Sequence, residues 1–401
     1  MRIFPGLIGL VLGLLCVAGG ARAGSLVTVN SDHVVVVNGK KVFGLAVSPG
    51  PPTYGRAPGG TDALDELRSG GILFHRMAFT GNWQISPSVL DPNSVATNQA
   101  TLDWCGQHGM FVLLNLKELS KYSATDTNTP VALRAAVDTF RNHPALGIWK
   151  NYDEAWWGNV SEPDLQRGYD LIRQEDTNHP VEQSNAPRGT VPDLQPYNAA
   201  ADIIMIDNYP VVASGAANNP PITNTAVSQF GDWTHVLSQV ANGQKNFWMI
   251  EQIAFSGTTP PNTLIFPTFT QERFMAYQAI VNGARGFMFF GGNIASTLTN
   301  ATDAGLGWNW TFWTNVLKPL TLQLSDGSPL LDALLVPDSQ IPISFNGTVY
   351  PDIELCAREA GTNLYLLATK REGSNAVNVT FAGLPLWATN GTVLFESNRT
   401  V

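Results

Sequence analysis

Short apolar runs recur along the first three quarters of the chain, and most follow a glycine or a polar residue. Within each run the apolar residues are continuous rather than alternating, which is typical of strands covered on both faces of a parallel sheet. The pattern predicts eight strands, at residues 42–47, 72–78, 110–115, 146–153, 181–184, 203–208, 247–251 and 286–290.

Helical stretches separate most of these strands. They are predicted at residues 62–69, 94–108, 131–141, 162–176, 226–242, 271–282 and 311–324, with a weaker, proline-interrupted element near 193–201. Eight strand–helix units in roughly 280 residues predict a (β/α)8 TIM barrel of the α/β class. A doubly wound open sheet is the alternative, but it usually has fewer strands and a glycine-rich first turn.

The pattern changes near residue 325. From residue 330 onward, short alternating segments at 352–358, 363–369, 376–381 and 392–396 are separated by glycine- and asparagine-rich turns. Such segments are typical of antiparallel strands. The chain is therefore expected to consist of a TIM-barrel domain at 24–325 and a small, sandwich-like antiparallel β domain at 326–401.

The first 23 residues have the features of a signal peptide. Arg2 precedes an apolar stretch at residues 7–18, and the small residues Ala21 and Ala23 form a cleavage site. This predicts a secreted or periplasmic protein. No later apolar run reaches the roughly 18 residues that a membrane-spanning helix needs.

Charge and composition argue against several classes of partner and cofactor. The net charge of −9, with few lysines, argues against nucleic acid and anionic membranes as partners. The six histidines form neither a His-x-His nor a His-Glu-x-x-His motif, so no metal is expected. Neither a dinucleotide-binding glycine motif nor a phosphate-binding loop is present, so no cofactor is expected. We expect a monomer.

Two glutamates close predicted strands that a barrel would bring together at one rim. Glu154 follows the fourth strand, and Glu251 ends the seventh. Aromatic residues surround both, and paired carboxylates at such a rim are what hydrolysis of a glycosidic bond requires. The structural alternative is that both glutamates form ordinary salt bridges.

Further polar and aromatic residues lie at the predicted strand ends or in the loops that follow them. The candidate substrate-binding residues are Arg76, Trp83, Asn115, Tyr152, Asp153, Trp156, Asn185, Asp207, Tyr209, Gln252 and Trp308. The tryptophans, together with Trp157 and Trp310, would offer flat surfaces on which sugar rings stack. The alternatives for this set are turn caps, structural ion pairs and core packing.

Two segments resemble a known family. The run His-Pro-Ala-Leu at 143–146, followed by Asp153 and Glu154, resembles the fourth strand of clan-A TIM-barrel glycoside hydrolases, and residues 247–251 are similar to their seventh strand. The resemblance implies that Glu154 is the general acid/base and Glu251 the nucleophile. Many members have Asn-Glu-Pro where this chain has Asp-Glu-Ala, and Gln252 after Glu251 is less usual.

These observations lead to one expected function and two alternatives. We expect a secreted retaining glycoside hydrolase that cleaves β-glycosidic bonds of a polysaccharide or oligosaccharide by double displacement, with carbohydrate as its partner. Its two carboxyl groups would lie about 5 Å apart, and Arg76 would contact Glu251. By analogy we expect endo action on a glucan- or mannan-like polymer. The alternatives are a noncatalytic carbohydrate-binding protein on the same barrel and a phosphodiesterase or amidohydrolase, which would need clustered metal ligands.

Overall fold

The computed structural model describes residues 24–76, 81–212, 219–253, 265–294, 297–345, 352–373, 375 and 377–396. The predicted signal peptide at 1–23 lies outside the described residues. The strands are β1 (Val27–Val29), β2 (Val35–Val37), β3 (Lys40–Val42), β4 (Gly44–Ser48), β5 (Phe74–His75), β6 (Gln84–Ser86), β7 (Val89–Leu90), β8 (Phe111–Asn115), β9 (Leu146–Asp153), β10 (Val181–Asn185), β11 (Ile203–Asp207), β12 (Asn246–Gln252), β13 (Gly286–Phe290), β14 (Ser344–Phe345), β15 (Ile353–Ala360), β16 (Asn363–Lys370) and β17 (Phe381–Ala382).

Helices connect the strands along the outside. They are α1 (Ala63–Ser69), α2 (Pro92–Gln107), α3 (Thr129–Phe140), α4 (Glu162–Glu175), α5 (Val191–Leu194), α6 (Gln229–Ala241), α7 (Phe269–Val281), α8 (Ala301–Leu306), α9 (Trp310–Phe312), α10 (Lys318–Leu324) and α11 (Leu331–Leu334). Short 3-10 helices span Lys117–Ser120 and Gln195–Ala200, and a π-helical segment, Trp313–Leu317, joins α9 to α10.

Eight parallel strands close into a barrel in the order β4, β5, β8, β9, β10, β11, β12, β13. Each strand pairs with the next in sequence, and β13 closes the barrel against β4. The predicted (β/α)8 TIM barrel is therefore confirmed, with a strand in each of the eight predicted segments.

Strand geometry divides the core into two layers. Successive side chains of a strand point to opposite faces of the sheet, so in β12 Trp248 and Ile250 join the apolar cluster inside the barrel. Met249 belongs to the larger cluster between the strands and the helices, and so does Ile253, which follows β12. This division determines which polar side chains can reach the barrel mouth.

A small antiparallel sheet covers the end of the barrel at which the strands begin. Strands β1, β2 and β3 form this sheet, and its residues Val27, Val35 and Val37 are buried with the interior cluster of the barrel. β3 ends two residues before β4 begins. The carboxyl ends of the strands, at the opposite end, form the mouth on which TIM-barrel active sites are built.

The C-terminal part contains antiparallel strands, as predicted, but in two separate two-stranded sheets, β15–β16 and β14–β17. The β15–β16 hairpin lies against the side of the barrel, where the fully buried Arg358 donates to the carbonyl of Ile280 at the end of α7. The strand expected at 392–396 is not formed. Residues 394 and 395 form a turn with Phe395 at φ 62°, and both pack against the barrel core.

Two further observations concern the whole of the described structure. The cysteines Cys105 and Cys356 are buried and unbridged. Of the helices described, none is both long enough and apolar enough to cross a bilayer.

Candidate active site

Polar side chains that face the barrel interior meet at the mouth. Asp207 pairs in register with Ile250, and Gln252 with Phe290, so both lie on the inward face of the sheet. Asp153 pairs with Ser184, which in turn pairs with the inward-facing Met205. Strands β9, β10, β11 and β12 thus each contribute an inward-facing polar side chain.

Glu154 is the first residue beyond β9, and its backbone is left-handed, with φ 49°. A non-glycine residue rarely adopts this conformation, and such residues concentrate at functional sites. The half-buried side chain is hydrogen-bonded to the carboxyl group of Asp207. Burial, followed by the negative charge of Asp153, raises the pKa of Glu154, although Asp207, Lys150 and Arg188 partly oppose this.

Asp207 closes β11 and is the second member of this carboxyl pair. Burial raises its pKa well above the usual range, and the neighbouring Glu154 and Asp153 add to the effect. The phenol of Tyr209 lies in the same group of charges, and its ring stacks on Phe290 with centroids 5.6 Å apart. Asp207 and Tyr209 are therefore both at the mouth, where the sequence analysis expected them.

Asp153 has the opposite character to Glu154. Its side chain is 55% exposed and lies 2.9 Å from the ammonium of Lys150 and 3.9 Å from the guanidinium of Arg76. Partial burial opposes ionisation, but the two cations outweigh it and lower the pKa of Asp153 to about 2. Two consecutive carboxyl groups at the mouth therefore differ in proton affinity, which is the arrangement that acid–base catalysis uses.

Glu251 does not face Glu154, contrary to the expected pairing. It pairs in register with Phe289, which belongs to the cluster between the strands and the helices, so its side chain points away from the mouth. Its carboxyl group is fully buried. Burial and the neighbouring carboxyl group of Glu272 in α7 raise the pKa of Glu251 well above the usual range. Glu251 points outward because side chains alternate between the two faces along β12, and Gln252 occupies the inward face.

Arg76 also differs from the expectation. Its guanidinium donates to the hydroxyl of Ser48 at 3.0 Å and approaches Asp153, so it acts on Asp153 and not on Glu251. Gln252 faces inward, but its amide group exchanges two hydrogen bonds with the backbone of Val211, each 2.9 Å long. Gln252 therefore holds the segment after β11 in place.

Four other predicted residues have structural contacts. Asn115 accepts from the backbone of Lys117 at 3.1 Å, and Asn185 points outward and donates to the carbonyl of Met205. Tyr152 lies beneath the ammonium of Lys121. Trp156 is partly buried against the core.

The tryptophans divide into core and surface residues. Trp83 and Trp308 are fully buried, and their indole N–H groups donate to the carbonyls of Asn115 and Pro49. They are core residues, not sugar platforms, because both rings pack into the cluster between the strands and the helices. Trp157 remains 56% exposed.

Several residues of the site were not among the candidates. Lys150 and Glu182 are fully buried charges, and Ser184 lies between them. The signal was present, because a lysine inside the apolar strand LGIWKNYD and a glutamate inside VEQSN are unusual in strands covered on both faces. Arg188, in a turn after β10, stacks on Trp157 with its guanidinium carbon 5.7 Å from the ring centroid.

The site offers acid–base chemistry through its own side chains. Within the described ranges, no three His, Cys, Asp or Glu residues are arranged to hold a metal ion. The acidic groups at the mouth are instead held by hydrogen bonds and by the cations Lys150 and Arg76.

Comparison with known proteins relates the fold to glycoside hydrolases. No family model and no curated protein matches the chain. Among solved structures, one described as a glycoside hydrolase superimposes with a TM-score of 0.59 at 14% identity, over 86% of this chain and 83% of that chain. A glycoside hydrolase family 5 protein from Bacteroides vulgatus has a TM-score of 0.54 at 14% identity, over 85% and 80%.

A family 5 mannosidase from Rhizomucor miehei has a TM-score of 0.50 at 14% identity, over 74% of this chain and 96% of that chain. At such low identity the likeness concerns the fold. The chain thus has the TIM-barrel architecture that family 5 glycoside hydrolases also have.

Proposed function

We propose that this protein is a secreted glycoside hydrolase that cleaves β-glycosidic bonds of a polysaccharide or oligosaccharide, with Glu154 as its general acid. The observation that carries the proposal is the pair of consecutive carboxyl groups at the barrel mouth. The pKa of Glu154 is raised, whereas that of Asp153 is lowered to about 2. One can hold a proton at a pH where the other is ionised, as the reaction requires.

The proposed chemistry follows from the protonated state of Glu154 and the ionised state of Asp153. The protonated carboxyl of Glu154 donates its proton to the glycosidic oxygen while the bond from that oxygen to the anomeric carbon breaks. Water supplies the hydroxyl group that the anomeric carbon receives, and its remaining proton returns to the carboxylate of Glu154. The ionised carboxylate of Asp153 stabilises the positive charge that develops on the sugar ring in the transition state. Lys150 and Arg76 keep this carboxylate ionised.

Glu251 takes no part in the proposed chemistry. The resemblance to clan-A enzymes implied that Glu251 attacks the anomeric carbon in a double displacement. Its carboxyl group lies between β12 and α7, next to Glu272 and on the outer face of the strand. The covalent step through Glu251 is therefore not part of the proposed mechanism.

The substrate platform in this proposal is the exposed face of Trp157, together with Arg188. Flat aromatic rings suit the C–H faces of sugars, and the guanidinium of Arg188 lies over this ring and also acts on Glu154. Because one relative in the comparison is a mannosidase, β-mannans and β-glucans are the first polymers to test, and endo action is expected.

One observation favours a second candidate, a noncatalytic carbohydrate-binding protein. The strand that was expected to supply the nucleophile presents Gln252 to the mouth and turns Glu251 outward. A barrel of this kind could bind sugars without hydrolysing them, since fold alone does not imply activity.

A polysaccharide panel separates the two candidates. The purified protein and the Glu154→Gln variant should be incubated with β-mannans, β-glucans and xylans, and new reducing ends and binding should both be measured. The proposed function predicts hydrolysis by the natural protein and loss of hydrolysis, with retained binding, in the variant. Equal binding without product in both proteins would support the binding protein and overturn the enzyme.

A further inference from the structure

A positive charge is buried inside the barrel directly beneath the mouth. The side chain of Lys150 is fully enclosed, and it faces inward because it pairs in register with Glu182, the partner of the inward-facing Ile203. A buried ammonium is tolerated only when its charge and its N–H groups are satisfied. The groups around Lys150 must therefore satisfy its charge and its N–H groups.

Three oxygen atoms surround the ammonium of Lys150. The hydroxyl of Ser184 lies at 2.8 Å, a carboxylate oxygen of Asp153 at 2.9 Å, and one of Glu182 at 3.4 Å. Ser184 donates its own proton to the other oxygen of Glu182, at 2.5 Å. The hydroxyl oxygen of Ser184 therefore accepts a hydrogen bond from the ammonium of Lys150. A further N–H group of this ammonium is available to donate to Asp153.

The two carboxylates differ in position. Glu182 is fully buried with Lys150, and this pair alone would balance the interior charge. Asp153 lies at the rim with its side chain 55% exposed, although it makes the shorter contact with Lys150. The ammonium thus connects a buried ion pair to a carboxylate that substrate can reach.

The charged groups that face this carboxylate and its neighbour are few. Lys150 and Arg76 act on Asp153. The groups that act on Glu154 are Asp153, Asp207, Lys150 and Arg188. The phenol of Tyr209 lies among the same groups. Lys150 acts on both consecutive carboxyl groups of the described site.

We propose that Lys150 is a positioning residue of the acid–base site, which holds the carboxylate of Asp153 at the barrel mouth from beneath and through it acts on Glu154. The catalytic role of Lys150 rests on the proposed function. The effect of Lys150 on the ionisation of Asp153 does not depend on that function and can be measured without any substrate.

The measurement is a carboxyl 13C NMR titration of the full-length protein, with the Asp153 signal assigned from an Asp153→Asn variant. The test variant is the double substitution Lys150→Met with Glu182→Gln, which removes both charges of the buried pair and leaves no unpaired charge behind. We expect the apparent pKa of Asp153 to rise by roughly 1 to 3 pH units, the usual effect of losing an adjacent opposite charge.

Two single substitutions serve as controls. Lys121→Met removes a nearby lysine whose ammonium lies over the ring of Tyr152, 4.7 Å from the centroid, and should leave the Asp153 titration unchanged. Glu182→Gln keeps Lys150 and leaves Asp153 as its remaining carboxylate partner, so the pKa of Asp153 should not rise. A rise in Glu182→Gln, or an unmoved Asp153 signal in the folded double variant, would overturn the proposal.

The pH dependence of kcat/KM separates this inference from the proposed function. In the double variant the acidic limb should move to higher pH together with the titration of Asp153. A titration that moves while the limb stays in place would overturn the positioning role. If the natural protein hydrolyses no glycoside, the proposed function fails, and the titration still decides whether Lys150 holds Asp153.

Discussion

The carboxyl group of Glu154 is hydrogen-bonded to that of Asp207, two strands away around the barrel. Two carboxyl groups in contact cannot both be ionised without strong repulsion, so the pair retains a proton at a pH where isolated carboxyl groups have lost theirs. Their titration belongs to the pair. This shared proton is the feature of the mouth most relevant to general acid catalysis.

Substitution of Asp207 should change the pH profile according to the donor that remains. Asp207→Ala removes the second carboxyl group of the pair, and with it the repulsion that retains the shared proton, so the basic limb of kcat/KM should move to lower pH. Asp207→Asn removes the same charge but keeps an N–H donor, which favours the ionised carboxylate of Glu154, so its basic limb should move further in the same direction. A limb that moves to higher pH in either variant, or further in the alanine variant than in the asparagine variant, would contradict this role of Asp207.

Glu154→Gln should separate substrates by their leaving groups. Natural oligosaccharides need a proton on the departing oxygen, so their turnover should fall on the order of 100-fold or more. Activated aryl glycosides leave without protonation and should be affected far less. The comparison of kcat/KM for the two substrate types is the measurement. Equal losses for both would rule out a general acid role for Glu154.

Glu251→Gln should leave the activity intact and change the dependence of stability on pH. Burial raises the pKa values of Glu251 and Glu272 in the folded protein, and the carboxyl group of Glu272 raises that of Glu251 further. Above the ordinary carboxyl pKa, the unfolded chain loses protons that the folded protein keeps. The free energy of unfolding therefore falls with rising pH, by about 1.4 kcal/mol per pH unit for each retained proton.

The amide of Glu251→Gln cannot ionise, so the variant should lose less stability than the natural protein between pH 4.5 and pH 7.5. Urea unfolding at both pH values measures this difference. Glu162→Gln, at an exposed position in α4, is the control and should behave like the natural protein. A folded Glu251→Gln variant without hydrolytic activity would restore Glu251 to the mechanism.

Trp157→Ala should weaken substrate binding more than it slows the chemistry. The ring is exposed beside the mouth and lies under the guanidinium of Arg188. We expect KM to rise on the order of fivefold, equivalent to about 1 kcal/mol of binding free energy, with little change in kcat. Trp387→Ala, which removes an exposed tryptophan of the C-terminal part, is the matched control. Equal effects of both substitutions would argue against a subsite at Trp157.

Arg358→Met should destabilise the protein without changing the chemistry of the folded fraction. The buried guanidinium donates to the carbonyls of Ala333 and Ile280 and contacts Asp338. Its loss leaves carbonyl groups without donors between the β15–β16 hairpin and α7, and the free energy of unfolding should fall by about 2 kcal/mol or more. Unchanged thermal unfolding would show that the hairpin contributes little to the stability of the barrel.

The sequence by itself determined the order and type of the barrel elements. Continuous apolar runs bounded by glycine or polar residues predicted all eight strands, because parallel strands covered on both faces have this pattern. The same pattern predicted polar residues at the strand ends, including Asp153, Glu154 and Asp207, since a polar residue must follow where the apolar run leaves the core.

Only the tertiary structure decided which face each residue occupies. In β12 the run NFWMIEQ is buried on both sides, so it carries no alternation from which the inward face could be read. Pairing with β13 turns Glu251 toward α7 and Gln252 toward the mouth. A shift of one residue reverses the face of every side chain.

The partners of the mouth carboxyl groups were likewise decided by the fold. Lys150 meets Asp153 and Glu182, and Glu154 meets Asp207, because neighbouring strands close around the barrel in one register. These contacts join residues far apart in the chain or depend on a bulge between β9 and β10. Local sequence specifies strands through burial, whereas the proton affinities at the mouth depend on distances that exist only after the barrel closes.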